Sequence, residues 1–188
     1  MPVGAAAPEA VATKKAKKKA KPRAPRLRAS AGLLVVCAER ILVLERSAES
    51  SNPLTWGLPG GRLDRRENAF DAAVREAVEE VGPLPELVVI GQVQVQRSSG
   101  VYDVFVCRTS DVTRERWKPK LCAEHKRLRW SRLRWCLHRR GKLHPVLRAL
   151  LDDPRALELI AMAKVHGHRL REPIVVDPAL RRSLAKTL

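Results

Sequence analysis

Acidic residues are concentrated in one short segment of a strongly basic chain. The 188 residues carry a formal net charge of +17, yet Glu67, Glu76, Glu79 and Glu80 follow one another closely. Like charges three or four positions apart on a helix destabilise it by roughly 0.2–0.5 kcal/mol per pair. The segment is therefore expected to hold something positive among its carboxylates.

The spacing of these residues indicates a metal site. On a helix, Glu76 and Glu80 project from one side, and Glu79 lies within the same arc of roughly 100°. Three carboxylates on one stripe suit hard divalent cations, which prefer oxygen ligands. Glu67 is placed to reach Arg75 and so to fix the preceding loop against the helix. An exposed acidic helix face is the alternative interpretation.

Glycines bracket this acidic helix. The sequence WGLPGG runs from Trp56 to Gly61 immediately before it. Gly60 and Gly61 permit close approach of the backbone, so a carbonyl of this pair is able to face the same cation. Gly82, followed by proline, predicts the end of the helix. The pattern predicts a loop–helix unit built around a cation.

The remaining sequence alternates between strand and helix patterns. Apolar runs predict strands in segments 31–47 (two strands, broken near 38–40), 86–98, 101–109 and 126–133. Apolar residues at helical spacing predict helices at 68–81, 144–153 and 154–164. Turn-forming residues predict loops at 47–61 and 110–122. This order predicts an α/β or α+β fold with a mixed sheet.

Positive charge is unevenly distributed along the chain. Residues 1–28 carry nine lysines and arginines against one glutamate, without apolar periodicity, which predicts a disordered basic arm. Residues 108–142 carry thirteen basic and three acidic side chains. Such segments are typical of contact with a polyanion such as RNA. For the arm, nuclear targeting and a passive tail are alternatives.

The sequence also predicts the compartment. No apolar run approaches the roughly 18 residues of a membrane helix, and the N-terminus lacks the apolar segment of a secretory signal. The four cysteines are expected to be free thiols. The expected location is intracellular, in the cytoplasm or the nucleus, without a membrane partner.

The acidic segment resembles the signature of the Nudix hydrolases. That signature reads Gly, five residues, Glu, seven residues, Arg-Glu, a hydrophobic residue, any residue, Glu-Glu, any residue, Gly, and a hydrophobic residue. The matching positions are Gly61, Glu67, Arg75, Glu76, Glu79, Glu80 and Gly82. Ala77 replaces a larger aliphatic residue, and Pro83 occupies the last hydrophobic position. The resemblance covers about residues 29–152 and leaves 153–188 as a C-terminal helical extension and tail.

The resemblance implies an α/β/α sandwich with a mixed sheet and hydrolysis of a nucleoside diphosphate linked to another group. It implies Mg²⁺ or Mn²⁺ as the cofactor. The implied metal ligands are Glu76, Glu79, Glu80 and the carbonyl of Gly60. Arg75, Glu76 and Glu79 would then take part in catalysis, while Gly61, Glu67 and Gly82 would be structural.

Residues outside the acidic segment complete the predicted site. The family often uses a further acid, and Glu124 in AEHKRLRW resembles the family's late EH…W segment, with His125 as the alternative. Arg46 and Arg97 end strand-like runs near the expected cleft and are predicted to contact phosphate. Trp56, beside the glycines, is predicted to contact the substrate, with core packing as the alternative.

Three functions are compatible with these features. The first is metal-dependent hydrolysis of a (deoxy)nucleoside triphosphate or a modified nucleotide. The second is removal of the 5′ cap or pyrophosphate from RNA, which the basic segments favour, although two Phe and one Tyr offer few rings for base stacking. The third is a non-catalytic module that binds nucleic acid or protein, against which the complete set of acids argues.

Overall fold

The structure is a computed structural model that describes residues 29–98 and 100–165. The predicted basic arm, residues 1–28, lies outside the described residues, as does the predicted tail from residue 166 onward. Among the helices of the described residues, none is both long and apolar enough to cross a membrane.

Seven strands form a single sheet, and helices follow or interrupt them. The strands are β1 (Ser30–Cys37), β2 (Arg40–Arg46), β3 (Trp56–Gly57), β4 (Gly60–Arg62), β5 (Val88–Arg97), β6 (Gly100–Arg108) and β7 (His125–Arg132). The helices are α1 (Ala69–Val81), α2 (Asp111–Arg116), α3 (Leu133–His138), α4 (Pro145–Leu150) and α5 (Pro154–Val165), with a 3₁₀ turn at Arg140–Lys142.

The sheet is mixed. Its order is β3-β2-β1-β6-β5, with β4 paired to β1 and β7 paired to β2. β1 and β6 are parallel, with Ser30 opposite Tyr102, whereas the other pairs are antiparallel. Because β1 and β6 are distant in sequence, β4 and α1 lie inside the crossover that joins them.

Helices cover both faces of this sheet. Successive residues of a strand point to opposite faces, so β1 contributes to two separate cores. On one face, α1 packs its alanines against the sheet; this core includes Leu33, Val35, Ala72, Ala73, Ala77 and Phe105. On the other face, α4 and α5 pack against the sheet; this core includes Leu34, Val36, Val104, Leu147, Leu150 and Ile160. The arrangement confirms the predicted α/β/α sandwich.

The ends of α1 follow from its sequence. Asn68 caps the helix by accepting a hydrogen bond at Oδ1 from the backbone N–H of Asp71, at 2.9 Å. Gly82 ends the helix with a φ of 76°, a conformation that glycine adopts without strain. The observed span, Ala69–Val81, agrees with the predicted helix at 68–81.

Two predicted loops contain regular structure. Strand β3 and most of β4 lie within 47–61, because β2 and β1 supply their hydrogen-bond partners. Helix α2 lies within 110–122 and begins where Ser110 Oγ accepts a hydrogen bond from the N–H of Thr113, at 3.0 Å. Pairing of such short strands depends on neighbours distant in sequence, so the local pattern did not indicate it.

Candidate active site

A cleft of about 640 Å³ opens where α1, β4 and the beginning of β7 meet. Several of the predicted site residues line it together: Arg46, Gly60, Gly61, Glu76, Glu80, Arg97, Glu124 and His125. This cleft, defined by those residues, is termed the carboxylate cleft. Its volume lies within the range of about 300–1,000 Å³ that is usual for small-molecule sites.

Glu80 is the buried acid of the carboxylate cleft. Its Oε2 accepts a hydrogen bond from the backbone N–H of Gly60 at 2.9 Å, and its Oε1 lies 3.7 Å from Nε2 of His125. Burial raises the pKa of Glu80 to about 8, although the Gly60 hydrogen bond opposes the shift. Without a cation, Glu80 therefore favours its neutral form up to about pH 8, and a positive charge in the cleft would favour its ionised carboxylate.

Glu76 lies one helical turn before Glu80 and faces the same cleft. Burial raises its pKa, while its hydrogen bond from Arg75 Nη1, at 3.0 Å, acts in the opposite direction. Gly61 packs directly against this carboxylate, because a Cβ on Gly61 would lie 2.3 Å from Oε2 of Glu76. The absence of a side chain at position 61 thus sets the position of Glu76.

Arg75 ties the loop before α1 to the helix. Its Nε and Nη2 donate to the two carboxylate oxygens of Glu67, at 2.9 Å and 3.0 Å, and Nη2 also donates to the carbonyl of Arg62 at 2.9 Å. The hydrogen bonds from Arg75 lower the pKa of Glu67. The structure thus forms the Glu67–Arg75 pair that the spacing predicts.

Glu79 is placed differently from the other two acids. Its side chain is 54% exposed, and its Oε1 lies 3.3 Å from Nη1 of Arg75. Adjacent helical residues diverge by roughly 100°, so Glu79 turns away while Glu76 and Glu80 face the cleft. Within residues 29–98 and 100–165, no three acidic, histidine or cysteine side chains are gathered tightly enough to share one metal ion. Glu79 therefore contacts Arg75 in this arrangement, and its role as a metal ligand stays a prediction.

The two inward-facing acids nevertheless fit a divalent cation. Glu76 and Glu80 present hard oxygen donors to the same cleft, and burial raises the pKa of both. A cation between them would supply the missing positive charge. Oxygen donors of this kind suit Mg²⁺ and Mn²⁺ rather than softer metals.

A β-bulge places the next pair of residues. β2 and β7 shift register between Glu45 and Arg46, and Arg46 then pairs with His125. Bulges commonly re-aim side chains next to active sites. Here the bulge directs Arg46 and His125 into the cleft, while the neighbouring Glu45–Arg127 pair lies in a separate groove.

Glu124 and His125 differ sharply in exposure. The side chain of Glu124 is 69% exposed, and its Oε2 lies 4.0 Å from Nη2 of Arg46. His125 is buried; burial, with a smaller contribution from the charge of Arg46, lowers its pKa to about 4. His125 is therefore neutral at physiological pH and buttresses Glu80, whereas Glu124 meets solvent in the cleft.

Two arginines supply positive charge opposite the acids. Nε of Arg46 donates to the carbonyl of Ser51 at 2.7 Å, which fixes the guanidinium. Arg97 lines the same cleft from the end of β5. Burial and, secondarily, the charges of Arg46 and Arg97 lower the pKa of His144 to about 4, so both arginines act on one region. This end of the cleft is suited to an anion.

Sequence reasoning missed His144 and Asn52. Nδ1 of His144 accepts a hydrogen bond from the N–H of Val146 at 3.3 Å, which leaves the proton of the neutral ring on Nε2. That Nε2 lies 3.4 Å from the side-chain amide of Asn52, whose oxygen and nitrogen are interchangeable by rotation. The His-Pro pair indicates a helix start, but only the fold brings it to the cleft.

Trp56 is not brought to the carboxylate cleft. It is buried in the hydrophobic core and contacts Trp135 edge-to-face, with ring centroids 5.5 Å apart. β3 pairs Trp56 with Glu45, and the following residue, Gly57, faces the cleft instead. The predicted substrate contact of Trp56 is thus replaced by core packing, the alternative interpretation.

Replacement of Gly61 by alanine is expected to reduce activity roughly tenfold, because the new Cβ displaces the Glu76 carboxylate. Folding should change by less than about 1 kcal/mol, because only the flexible end of a side chain has to move. Gly141→Ala is the matched control, since a Cβ there meets no atom within 4 Å. Turnover and urea unfolding of both variants test this; equal turnover in the two would contradict the role of Gly61.

The stability of the metal-free protein is expected to be greatest near pH 6.5. The raised pKa of Glu80 removes stability as pH rises from 4.5 towards 8, whereas the lowered pKa values of His125 and His144 remove it as pH falls from 6.5 towards 4. We expect a loss of about 1–2 kcal/mol between pH 6.5 and 8. Mg²⁺ should offset that loss by binding the ionised carboxylates.

Urea unfolding in EDTA and in Mg²⁺, at several values between pH 5 and 8, measures this dependence. Stability that rises in EDTA from pH 6.5 to 8 would contradict the burial of an acid with a raised pKa.

Comparison with known proteins assigns this chain and its fold to a family. Residues 26–152 match the model of the NUDIX domain. The MutT protein from Methanosarcina mazei Go1 is 25% identical and superposes with a TM-score of 0.54, over 70% of this chain and 93% of that chain. A search of curated protein sequences gave no significant match.

Two further solved structures share the fold. The Nudix hydrolase RenU from M. smegmatis is 24% identical, with a TM-score of 0.56 over 78% of this chain and 91% of that chain. The C. elegans Ap4A hydrolase, solved as a binary complex, is 19% identical, with a TM-score of 0.53 over 72% of this chain and 98% of that chain. With its domain match and its box of acids, the chain belongs to the Nudix hydrolase family, whose members act on nucleoside diphosphate derivatives with divalent cations.

Proposed function

We propose that the protein hydrolyses the diphosphate linkage of a (deoxy)nucleoside triphosphate or a modified nucleotide, with Mg²⁺ or Mn²⁺ as cofactor. One observation carries this proposal. Two acids whose pKa values are raised by burial, Glu76 and Glu80, line the same cleft as Arg46 and Arg97, and that cleft is of nucleotide size. Such a cleft suits a cation bound to the acids and a phosphate chain bound between the cation and the arginines.

Glu76 and Glu80 would hold the cation, with the carbonyl of Gly60 and, after release from Arg75, Glu79 as further ligands. When bound, the cation neutralises diphosphate oxygens and lowers the pKa of a coordinated water. Arg46 and Arg97 bind and orient the phosphate chain. Because Arg46 is fixed by Ser51, little side-chain entropy is lost when phosphate binds.

Glu124 is the proposed general base. Its exposed carboxylate accepts a proton from the attacking water as the water oxygen bonds to phosphorus and the phosphoric anhydride P–O bond breaks. The carbonyl of Glu124 accepts hydrogen bonds from the N–H of Ser47 at 2.8 Å and the hydroxyl of Ser50 at 3.0 Å, which holds its main chain in place. The leaving phosphate carries the electron pair of the broken bond.

His144 and Asn52 occupy the cleft beyond the arginines and provide the polar contacts for base or sugar. His144→Phe is expected to alter the ratio of kcat/KM values between nucleotides by about tenfold, because it removes one hydrogen-bond donor from the cleft. The dependence of the rate on metal concentration should stay the same, because Glu76 and Glu80 are unchanged. Parallel kinetics on purine and pyrimidine triphosphates measure this ratio. A uniform change across all nucleotides would contradict a role in selection.

A product screen tests the function itself. The full chain is incubated with Mg²⁺ or Mn²⁺ and nucleoside triphosphates, oxidised nucleotides, dinucleoside polyphosphates or capped RNA, and the released species are identified by mass spectrometry. Incorporation of ¹⁸O from labelled water identifies the attacked phosphorus. The expected product carries one new P–O bond from water. Binding of nucleotides without any cleavage would favour the alternative of a non-catalytic module.

A further inference from the structure

A second groove, of about 590 Å³, lies beside the carboxylate cleft and is rich in basic and aromatic side chains. Five of its lining residues are basic: Lys126, Arg127, Arg129, Arg139 and Lys142. Trp56 and Trp135 also line it, and its single acidic residue is Glu45. This surface, defined by these eight residues, is termed the basic groove.

The local sequence explains how the charges come together. Arg127 and Arg129 are two residues apart on β7, so they share one face of the strand. Trp135 and Arg139 are four residues apart along α3 and its end, so they share one side of the helix. The repeated pattern RLRW at 127–130 and 132–135 thus places two arginines of the strand opposite Trp135, beside which Arg139 follows on the helix side.

The arginines of the groove are held in defined positions. Arg129 and Arg139 lie over the ring of Trp135, with guanidinium carbons 4.6 Å and 5.4 Å from its centroid. Arg127 lies 5.8 Å from the centroid of Trp56 and donates to Glu45 through Nε at 2.5 Å and Nη2 at 3.1 Å. Cation–π and ionic contacts of this kind orient planar guanidinium groups before a ligand binds.

Most of the positive charge in the groove is uncompensated. Glu45 is buried and its carboxylate is engaged by Arg127, which accounts for one charge of each sign. In the part of the chain that the structure describes, the other four cations of the groove form no ion pair. A surface with this excess attracts a ligand that carries several negative charges.

We propose that the basic groove binds the backbone of single-stranded nucleic acid. The Cα atoms of Arg127 and Arg129, two apart on β7, are about 6.6 Å apart, so both side chains border one stretch of the groove. Guanidinium planes fixed over indole rings bind phosphate and also stack on unpaired bases. Because the groove is concave, its arginines and tryptophans can contact a single strand more easily than a flat bilayer.

The basic groove lies next to the carboxylate cleft. The loop at 51–55 forms a wall between the two sites, with Ser51 and Asn52 on the carboxylate cleft and Pro53, Leu54 and Thr55 on the basic groove. A strand in the groove therefore has one end close to the cleft. Binding at the groove does not depend on the proposed hydrolysis. It would support the alternative function, in which the substrate is an RNA end and not a free nucleotide.

Fluorescence anisotropy tests the proposal. The probe is a labelled oligouridine RNA of 12 nucleotides with a 5′ hydroxyl group. EDTA is present, so neither the metal site nor hydrolysis contributes. The double variant Arg129→Gln/Arg139→Gln is compared with Arg116→Gln/Lys118→Gln, which removes the same charge from exposed residues at the end of α2. Loss of two phosphate contacts should weaken binding roughly 10- to 30-fold at 0.1 M salt and reduce the salt slope by about 1.4.

The matched control is expected to change affinity less than about threefold, because only long-range attraction is reduced. Arg129→Lys/Arg139→Lys keeps the charge but loses planar stacking, and it should bind with intermediate affinity. Thermal unfolding verifies that each variant is folded. Equal weakening in the control, or no measurable RNA binding by the full chain, overturns the proposal. The proposal is also overturned if Arg129→Gln/Arg139→Gln keeps its affinity for RNA and loses affinity only for anionic vesicles or for polyglutamate.

Discussion

Glu80→Gln is expected to reduce turnover by about 10²-fold or more while the protein remains folded. The change removes one negative charge from the buried acid at the centre of the carboxylate cleft, and a divalent cation depends on such charge. Glutamine has nearly the same shape, and its side-chain oxygen can still accept the hydrogen bond from Gly60. Activity should fall through loss of the cation, since the cleft keeps its form.

The stability of Glu80→Gln distinguishes loss of the cation from loss of the fold. Burial raises the pKa of Glu80, so a neutral side chain should make the metal-free protein at pH 8 at least as stable as the unaltered chain. The stabilisation by Mg²⁺ should largely disappear. Glu158→Gln, an exposed change of the same kind on α5, is the control. Near-normal turnover in folded Glu80→Gln would remove Glu80 from the proposed metal site.

Glu124→Gln is expected to slow turnover by about 10²-fold, within the range usual for removal of a general base. Glu124 acts on Glu76 and Glu80 only as a minor electrostatic contribution to their pKa values, so most of the stabilisation by Mg²⁺ should remain. Single-turnover rates, measured beside a Mg²⁺ titration of thermal unfolding, test both expectations.

His125→Gln provides the comparison for this experiment. His125 is buried and lies 3.7 Å from Glu80, so its replacement should weaken metal binding more than it slows the chemical step at saturating metal. If Glu124→Gln leaves the single-turnover rate unchanged and His125→Gln remains slow at saturating Mg²⁺, then His125 is the proton acceptor and Glu124 has no part in the chemical step.

Much of the fold could be predicted because its signals are local. Asn68 and Gly82 define both ends of α1, and the alternating apolar residues of β5 and β6 indicate their hairpin. Short elements could not be predicted in the same way. Strands β3 and β4 form only because β1 and β2 lie beside them, and this information is distributed over distant segments.

The site, like the fold, could be predicted only where its signals are local. The Glu67–Arg75 pair follows from spacing on one helix and its preceding loop, so it could be predicted. The inward direction of Glu80, the outward direction of Glu79 and the arrival of His144 depend on which face of α1 the sheet covers. Trp56 shows the same limitation, because a tryptophan beside glycines gives no indication of the side on which its strand will present it.

The parallel pairing of β1 with β6 has a consequence for synthesis of the chain. One edge of β1 pairs with the start of β2 at Val36 and Cys37 and with β4 at 30–32, whereas the other edge pairs only with residues 102–108. Ribosomes add about 5–20 residues per second, so this edge of β1 waits several seconds for β6 to be made. Unpaired apolar strands of this kind are prone to aggregate, and flanking charges oppose it. Such charges precede β1, because residues 1–28 carry nine lysines and arginines.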